Sequence, residues 1–274
     1  MIRRTVDNAN ERAEELTGRN YLSYSSVALY QSCPLRWYFK YVADLPEETV
    51  SAALVFGGAI HRSVEFHFRE LLAGNSAPDL DMLLAEYQDA WHDHDLAQVT
   101  FGKDDDTSTL GRLADRMLRA FQASDFAKPA GTIIGVEEEF RGQLVPGCPD
   151  LLARVDLLID SGNELVVIDL KTARSRWSRD QADDASEQLL LYSELVKQLA
   201  PEKSVRIEFA VVTKTKEPVV DRHILPVDPM RVGRTKRIVE RVWRAIQAAH
   251  FYPAPSPMQC PTCPYRVPCR AWQG

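Results

Sequence analysis

Residues 154–172 of this chain read Arg-Val-Asp-Leu-Leu-Ile-Asp-Ser-Gly-Asn-Glu-Leu-Val-Val-Ile-Asp-Leu-Lys-Thr. Two apolar runs, Val155–Ile159 and Leu165–Leu170, flank the turn signal Asp160–Asn163. Short apolar runs separated by such a turn are typical of a β-hairpin. We therefore predict a β-hairpin at the centre of the fold.

Three charged side chains interrupt the apolar runs of this hairpin: Asp156 in the first run, and Asp169 and Lys171 at the end of the second. Alternate side chains of a strand share a face, so Asp169 and Lys171 point the same way, and the partner strand can bring Asp156 near them. Such charges are costly to bury without a partner. A divalent cation between the carboxylates, with Lys171 beside an attacking water, would offset this cost. The simpler alternative is a salt bridge at a strand end.

Length and composition are those of a globular protein of ordinary size. The chain has 274 residues, of which 45% are hydrophobic and 26% charged, so it can bury a large core. No apolar run approaches the roughly 20 residues needed to span a bilayer. The charged segment 1–19 lacks the apolar core of a signal peptide. We expect a cytoplasmic protein with no membrane partner.

The net charge of −6 does not by itself indicate a nucleic-acid partner. Basic residues nevertheless cluster in two places, and a local basic strip is enough to follow phosphates. One cluster follows the hairpin and contains Lys171, Arg174, Arg176 and Arg179. The other lies on a later helix and contains Arg231, Arg234, Lys236, Arg237, Arg241 and Arg244. A solvated helix face is the alternative interpretation of the second cluster.

The order of predicted elements indicates an α/β fold. Strands are predicted at 132–140, 155–159, 165–170, 205–212 and 219–225, and helices at 181–199 and 229–250. A hairpin combined with crossover connections predicts a mixed central sheet flanked by helices. Apolar residues at helical spacing predict further helices at 55–72, 80–91 and 110–126. We expect one domain, 1–274, with a helical part (20–130), a sheet core (131–250) and a cysteine-rich tail (251–274).

Five cysteines occur in the chain, an odd number that argues against a disulfide framework in a cytoplasmic protein. Cys260, Cys263 and Cys269 lie in a proline-rich tail at spacings that match metal ligands. Cys33 is the natural fourth ligand and Cys148 the competitor. The spacing leaves a structural zinc ion and a [4Fe–4S] cluster both open.

Five motifs occur in order along the chain: Ser25-x3-Leu29-x3-Cys33-Pro34-x3-Tyr38, Gly58-x2-His61, Asp156 with Asp169-Leu170-Lys171, Gln188-x3-Tyr192, and the tail cysteines. In this order they resemble the PD-(D/E)XK nuclease superfamily. The similarity is to its RecB-like branch with a four-cysteine iron–sulfur cluster, which includes the AddB nuclease domain and the CRISPR-associated RecB-like exonucleases. The resemblance spans residues 22–270 and implies a restriction-endonuclease-like fold.

Two positions depart from the family pattern. Arg154 stands where a glycine often precedes the motif aspartate by two residues. We expect this arginine either to alter the local backbone or to contact DNA. The literal pair Pro149-Asp150 offers a second candidate for the motif aspartate. Asp156 is preferred because it lies inside the apolar strand that can pair with the strand of Asp169.

The resemblance implies a metal-dependent DNA exonuclease. His61, Asp156, Asp169 and the backbone carbonyl of Leu170 would hold Mg²⁺ or Mn²⁺, whose hard character suits oxygen ligands. Lys171 would orient the attacking water or stabilise the developing charge. Gln188 and Tyr192 would position the strand. The resemblance also favours a structural [4Fe–4S] cluster, held by Cys33, Cys260, Cys263 and Cys269.

The expected partner is DNA, as single strands or ends, in recombination, repair or end processing. Any unwinding would come from a helicase or from a recombination or integration complex, and an oligomer is compatible with the sequence. An alternative from another functional class is a non-cleaving DNA-binding module of the same fold that serves such a complex. The intact Asp-x-Lys pair and His61 argue against this alternative.

Overall fold

The fold is described here from a computed structural model, which covers residues 3–47 and 49–274, with only the backbone for residues 3–7. Residues 1 and 2 of the segment considered as a signal peptide lie outside this range. In the described chain, no helix combines the length and apolarity needed to cross a membrane.

Ten α-helices and eight strands make up the regular structure of the described residues. The helices are α1 (Arg3–Thr17), α2 (Tyr24–Ser32), α3 (Pro34–Tyr41), α4 (Ala52–Leu72), α5 (Leu80–His92), α6 (Thr107–Ala123), α7 (Arg179–Ala185), α8 (Glu187–Val196), α9 (Pro229–Gln247) and α10 (Arg266–Ala271). The strands are β1 (Tyr21–Ser23), β2 (Val50–Ser51), β3 (Val99–Thr100), β4 (Thr132–Gly142), β5 (Asp150–Asp160), β6 (Glu164–Ala173), β7 (Ser204–Thr213) and β8 (Val220–Leu225).

The chain divides into two compact units. The sheet unit comprises Thr49–Glu138 and Arg154–Val227, and the cysteine unit comprises the described residues of Met1–Glu48 together with Glu139–Ala153 and Asp228–Gly274. The predicted division into a helical part, a sheet core and a tail remains a prediction.

A mixed sheet forms the centre of the sheet unit, as the order of elements predicts. β5 and β6 pair antiparallel, β6 and β7 pair parallel, and β7 and β8 pair antiparallel, with β4 beside β5. The predicted hairpin is confirmed, since Leu157 lies opposite Ile168 and Asp160 opposite Leu165. β6 is buried along most of its length because strands cover both of its edges and helices pack against it.

Helices α4, α5 and α6 pack together on this sheet. Phe56, Ile60 and Phe68 of α4 are almost fully buried, and they meet Met117 and Phe121 of α6 in one apolar cluster. The helix predicted from residue 55 in fact begins at Ala52, where Ser51 caps it by accepting a hydrogen bond from the Leu54 N–H.

The single helix expected at 181–199 is wrong in one respect, because the structure has two helices there. α7 ends and α8 begins at Ser186, whose hydroxyl and backbone N–H both donate to the Asp183 carbonyl. A serine that bonds the preceding turn competes with the helical pattern. Apolar spacing alone does not reveal this break, since the residues on both sides keep a helical period.

The cysteine unit is held by aromatic side chains as well as by its helices. Trp37 of α3 is fully buried, stacks on Phe251 with ring centroids 5.8 Å apart and donates from Nε1 to the Ser26 hydroxyl. In the tail, Tyr265 packs against Phe39 at 5.8 Å and Trp272 lies 5.3 Å from Tyr38. These contacts order a tail whose own sequence has little apolar periodicity.

Candidate active site

The hairpin brings its two aspartates to neighbouring positions. Leu157 of β5 pairs with Ile168 of β6. Asp156 directly precedes Leu157, and Asp169 directly follows Ile168, so the two aspartates lie on the same side of this pair. Asp156 Oδ2 accepts a hydrogen bond from the Leu170 N–H at 2.8 Å. The carboxylate of one strand therefore satisfies a backbone donor of the other, which fixes its position at the sheet.

Lys171 and Asp169 form an ion pair on the same face of β6. The Lys171 ammonium lies 2.6 Å from Asp169 Oδ2, and the Asp169 side chain is only 6% exposed. The ammonium also lies 5.9 Å from the ring centroid of Phe209, the residue of β7 that pairs with Asp169. Lys171 is thus held between a carboxylate and an aromatic ring.

His61 reaches this pair of strands from α4. The helix approaches β6 closely at Gly57, where a Cβ would lie 3.4 Å from Thr172 Oγ1. One turn later, His61 Nδ1 lies 3.7 Å from Asp156 Oδ2, and the imidazole hydrogen-bonds the Leu170 backbone. The structure therefore places His61, Asp156, Leu170, Asp169 and Lys171 on two paired strands and one neighbouring helix. Their roles as metal ligands and catalytic residues remain predictions.

Burial and mutual repulsion disturb the ionisation of these groups. Burial, followed by the charge of Asp169, raises the pKa of Asp156 well above its ordinary value. Burial also raises the pKa of Asp169, against the effect of Lys171. Burial, with the charges of Lys171 and Lys214, lowers the pKa of His61 to about 4. His61 is therefore neutral near pH 7, while the two acids resist ionising together.

Gln188 and Tyr192 lie on one face of α8, beside the aspartates. Gln188 Nε2 donates to the Tyr192 hydroxyl at 3.1 Å, and the hydroxyl also hydrogen-bonds the Arg154 backbone. Tyr192 is buried, and burial raises its pKa, with smaller contributions from the charges of Asp169 and Asp156. The hydrogen bond therefore holds the two side chains together next to the aspartates.

Two glutamates at the site are absent from the motifs. Glu65 and Glu137 line a cavity of about 10 Å³ together with His61 and Asp156. Burial and the charge of Glu65 raise the pKa of Glu137, and Glu137 has a left-handed backbone with φ of 52°. Helical spacing from His61 could have indicated Glu65, which is four residues later. No sequence signal marks the unusual backbone of Glu137.

Comparison with known proteins agrees with this geometry. The family model of the PD-(D/E)XK nuclease superfamily matches residues 21–270, which is most of the chain. The chain belongs to this superfamily. No curated protein matches the nuclease with significance.

Two of the solved structures that match this chain do so at low sequence identity. One, from Eubacterium rectale, is described as a "Putative exonuclease"; it has 17% sequence identity and a TM-score of 0.58 over 97% of this chain and 91% of that one. At this identity the likeness shows the fold alone. The other is SSO0001, with 15% identity and a TM-score of 0.36 over 90% of this chain and 95% of that one. A TM-score that low supports no conclusion.

Nucleases of this superfamily typically use a divalent metal ion such as Mg²⁺. The donor chemistry of the site suits such an ion, because two buried carboxylates with raised pKa values gain from a neighbouring cation. Within residues 3–47 and 49–274, however, no three His, Cys, Asp or Glu side chains are grouped closely enough to hold a metal ion. The Asp169 carboxylate pairs with the Lys171 ammonium, and a grouping of His61, Asp156 and Asp169 around one ion remains a prediction.

The predicted cluster ligands lie around one cavity in the cysteine unit. Cys33, Cys260, Cys263 and Cys269 all line a cavity of about 260 Å³. Burial, followed by the charges of the other three thiols, raises the pKa of Cys269. The thiols do not form a metal-holding group either, as far as the described residues go. Cys148, the competitor, does not line this cavity and is buried, and burial raises its pKa to about 12.

Asp150, the alternative to Asp156, belongs to the cysteine unit. Its Oδ2 lies 3.1 Å from Arg141 Nε and accepts a hydrogen bond from Asn10 at 3.1 Å. These contacts are those of a structural carboxylate at the start of β5.

The two predicted basic clusters differ in how their charges are matched. After the hairpin, Arg174 and Arg179 are exposed, whereas Arg176 lies 3.2 Å from Asp221. On α9 the exposed members at spacings of three and four residues are Arg234, Arg237, Arg241 and Arg244. The first three make no hydrogen bond or ion pair to the described residues, while Arg244 pairs with Glu240 at 2.6 Å.

Proposed function

We propose that this nuclease is a metal-dependent DNA exonuclease of the RecB-like branch, which hydrolyses phosphodiester bonds. The observation that carries the proposal is the convergence of His61, Asp156, Asp169 and Lys171 on two paired strands and one helix. A superfamily of nucleases implies a nucleic-acid substrate, and the exposed cations after the hairpin suit a phosphate backbone.

In this proposal His61, Asp156, Asp169 and the Leu170 carbonyl hold Mg²⁺ or Mn²⁺. The ion supplies Lewis-acid polarisation of the phosphate and lowers the pKa of a bound water. The imidazole of His61 is suited to a ligand role because its lowered pKa, about 4, leaves a ring nitrogen lone pair free at neutral pH. Asp156 is oriented for the role by the Leu170 N–H.

Lys171 supplies positive charge to the reacting phosphate. Its ammonium is held by Asp169 and by the ring of Phe209, so it needs little reorganisation when charge develops on the phosphate oxygens. Tyr192 and Gln188 form a preorganised wall against which the substrate strand is positioned. Both roles are those implied by the family motifs.

The cysteines are proposed to hold a structural [4Fe–4S] cluster. The four thiols line one cavity of about 260 Å³, and it is the family resemblance that favours a cluster over one zinc ion. The cluster would draw the four thiolates together and join the tail to the start of α3. A colourless protein with stoichiometric zinc after anaerobic purification would replace this proposal by a zinc site.

The decisive experiment compares wild type with Asp169→Ala and Lys171→Ala on end-labelled DNA with Mg²⁺ or Mn²⁺. We expect cleavage by wild type and loss of cleavage in both variants, with folding unchanged by circular dichroism. Equal background cleavage in all three would contradict the enzyme, and retained DNA binding in that case would favour the non-cleaving module.

The exonuclease assignment has its own test. Substrates blocked at the 5′ end, the 3′ end or both distinguish the two polarities, and we expect blocking of one end to stop digestion. Equal cleavage of a circular single strand would identify an endonuclease instead. A role in repair or recombination beside a helicase, and a cytoplasmic location, remain part of the proposal.

A further inference from the structure

A second lysine lies at the end of the sheet that carries Lys171. Lys214 directly follows β7, and its N–H donates to the Ala173 carbonyl at 2.6 Å, which extends the pairing with β6 by one residue. Its Nζ lies 5.1 Å from the ring centroid of Phe56 on α4, the helix that also carries His61. Lys214 therefore belongs to the mouth of the catalytic site, although no motif contains it.

The charge of Lys214 is not matched by an acid. Its side chain is half-buried, and in the part of the chain that the structure describes its ammonium makes no hydrogen bond or ion pair. Burial, followed by the charge of Arg174, lowers the pKa of Lys214, and the charge of Asp105 has a smaller, opposite effect. Arg174 is exposed and also has no ion pair among the described residues. Lys171, by contrast, has its charge offset by Asp169.

Two neighbouring cations that form no ion pair with a carboxylate are unfavourable when one of them is sheltered from water. An anion between them removes the repulsion and supplies hydrogen-bond acceptors to both. Lys214 is also close enough to His61 for its charge to lower the pKa of the imidazole. An anion bound there would lie next to the reacting centre, without being the group that the proposed metal ion polarises.

We propose that Lys214 and Arg174 form a second phosphate subsite, which binds a phosphodiester of the substrate strand next to the scissile one. This inference rests on the proposed nuclease function. The cation–π contact with Phe56 holds the ammonium at the mouth of the site while no DNA is bound. The subsite fixes the strand on one side of the cleaved bond, and Gln188 and Tyr192 contribute a wall of their own.

The test combines protein variants with altered substrates. Steady-state cleavage is measured for wild type, Lys214→Ala, Lys214→Arg and the control Lys216→Ala, an exposed lysine two residues later. The substrates are oligonucleotides in which one phosphate at a time, on either side of the scissile bond, is an uncharged methylphosphonate. Loss of one charge-assisted contact is expected to raise KM about tenfold.

The expected result has three parts. Lys214→Ala raises KM about tenfold with a smaller change in kcat, Lys214→Arg restores most of the loss, and Lys216→Ala matches wild type. For wild type, one methylphosphonate position adjacent to the scissile bond raises KM by a similar factor. That position has no further effect in Lys214→Ala, because the two changes remove the same contact.

Independent effects of the two changes, or equal behaviour of Lys214→Ala and Lys216→Ala, would overturn the subsite. If Lys214→Ala does not fold, the methylphosphonate scan of wild type still decides, since insensitivity at every flanking phosphate contradicts the proposal. If inorganic phosphate stabilises the protein against thermal unfolding but no methylphosphonate position in the strand changes KM, the subsite binds free phosphate and not the substrate strand. Failure of wild type to cleave any substrate would instead refute the nuclease function itself.

Discussion

The acidic site of the sheet unit and the cysteine-lined cavity are constructed in opposite ways. Every group of the acidic site stands on a paired strand or a long helix, and a strand N–H already holds Asp156 in place. Three of the four cysteines stand in a tail whose regular structure is one short 3₁₀ turn, Cys260–Thr262, and the six-residue α10. In the first case the fold itself positions the side chains, whereas in the second we expect the proposed cluster to help position the chain.

The largest expected effect separates the two candidate motif aspartates. Asp156→Asn keeps an acceptor for the Leu170 N–H but removes the charge, so we expect cleavage to fall about 10³-fold or more. Asp150→Asn changes a carboxylate of the cysteine unit and is expected to keep activity within about threefold. Rates with saturating Mg²⁺ on the same labelled DNA measure both. A greater loss in Asp150→Asn would assign the motif to Pro149-Asp150.

The second prediction tests the cysteine cavity. Cys263→Ser should lose most of the bound iron and lower Tm by about 10 °C or more, because ligand binding is coupled to the folding of the tail. Cys148→Ser is the matched control, since that thiol is buried outside the cavity. It should retain the iron despite a modest loss of stability. Iron content and thermal melting are measured after anaerobic purification, and equal iron in both variants would remove Cys263 from the ligand set.

The third prediction concerns the wall formed by Gln188 and Tyr192. Tyr192→Phe removes the hydroxyl but keeps the buried ring, so we expect kcat/KM to fall about tenfold with little change in Tm. Gln188→Ala should give a similar loss, and the double variant should lose less than the product of the two. Gln198→Ala, at an exposed position beyond α8, serves as the control. Additive losses would show that the two side chains act independently.

The fourth prediction concerns the effect of Asp156→Asn on stability. This variant loses activity, but without metal we expect it to gain thermal stability. Folding raises the pKa of Asp156 above its unfolded value, so its contribution to stability is complete at low pH and is lost as pH rises through the raised value. In the absence of metal, Asp156→Asn should therefore melt a few degrees higher than wild type near pH 8, with the difference shrinking towards pH 4. Mg²⁺ should stabilise wild type but not the variant. A difference in Tm that does not vary with pH would contradict the repulsion between the two acids.

The smallest expected effect tests whether the cysteine unit also contacts DNA. Changing Arg234, Arg237 and Arg241 to Ala together should reduce the slope of log K against log salt by about 2–3, if each contacts one phosphate. The control neutralises Arg112, Arg116 and Arg119 of α6 instead, which removes the same charge. Both triple variants are made in the inactive Asp169→Ala protein, and their affinity for single-stranded DNA is measured by titration at several salt concentrations. Equal slopes would leave α9 as a solvated face.

The hairpin and the sheet were open to prediction because their residues obey local rules. Alternating and continuous apolar runs around Asp160–Asn163 specify both strands and their turn, and strand periodicity puts Asp169 and Lys171 on one face. The break at Ser186 was not predictable in this way, because a hydroxyl that bonds its own backbone leaves the apolar period intact. The family motifs specified which residues converge, and chain topology specified where.

The residues that were not predicted make contacts with residues that are distant in the sequence. Lys214 reaches the site through the parallel pairing of β6 and β7, which only the three-dimensional register reveals. The attachment of the tail depends on Tyr265 and Trp272 meeting aromatic residues of α3 more than 220 positions earlier in the chain. A single sequence does not reveal such contacts, because the side chains that make them follow no spacing pattern.

The left-handed backbone of Glu137 matters for any attempt to increase the thermal stability of this protein. A left-handed backbone costs a non-glycine residue about 1 kcal/mol, so glycine at this position should relieve the strain. The same exchange would strip a carboxylate from the rim of the small cavity beside His61. Thermal stability therefore favours glycine at position 137, whereas an acidic pocket with all of its carboxylates requires glutamate there.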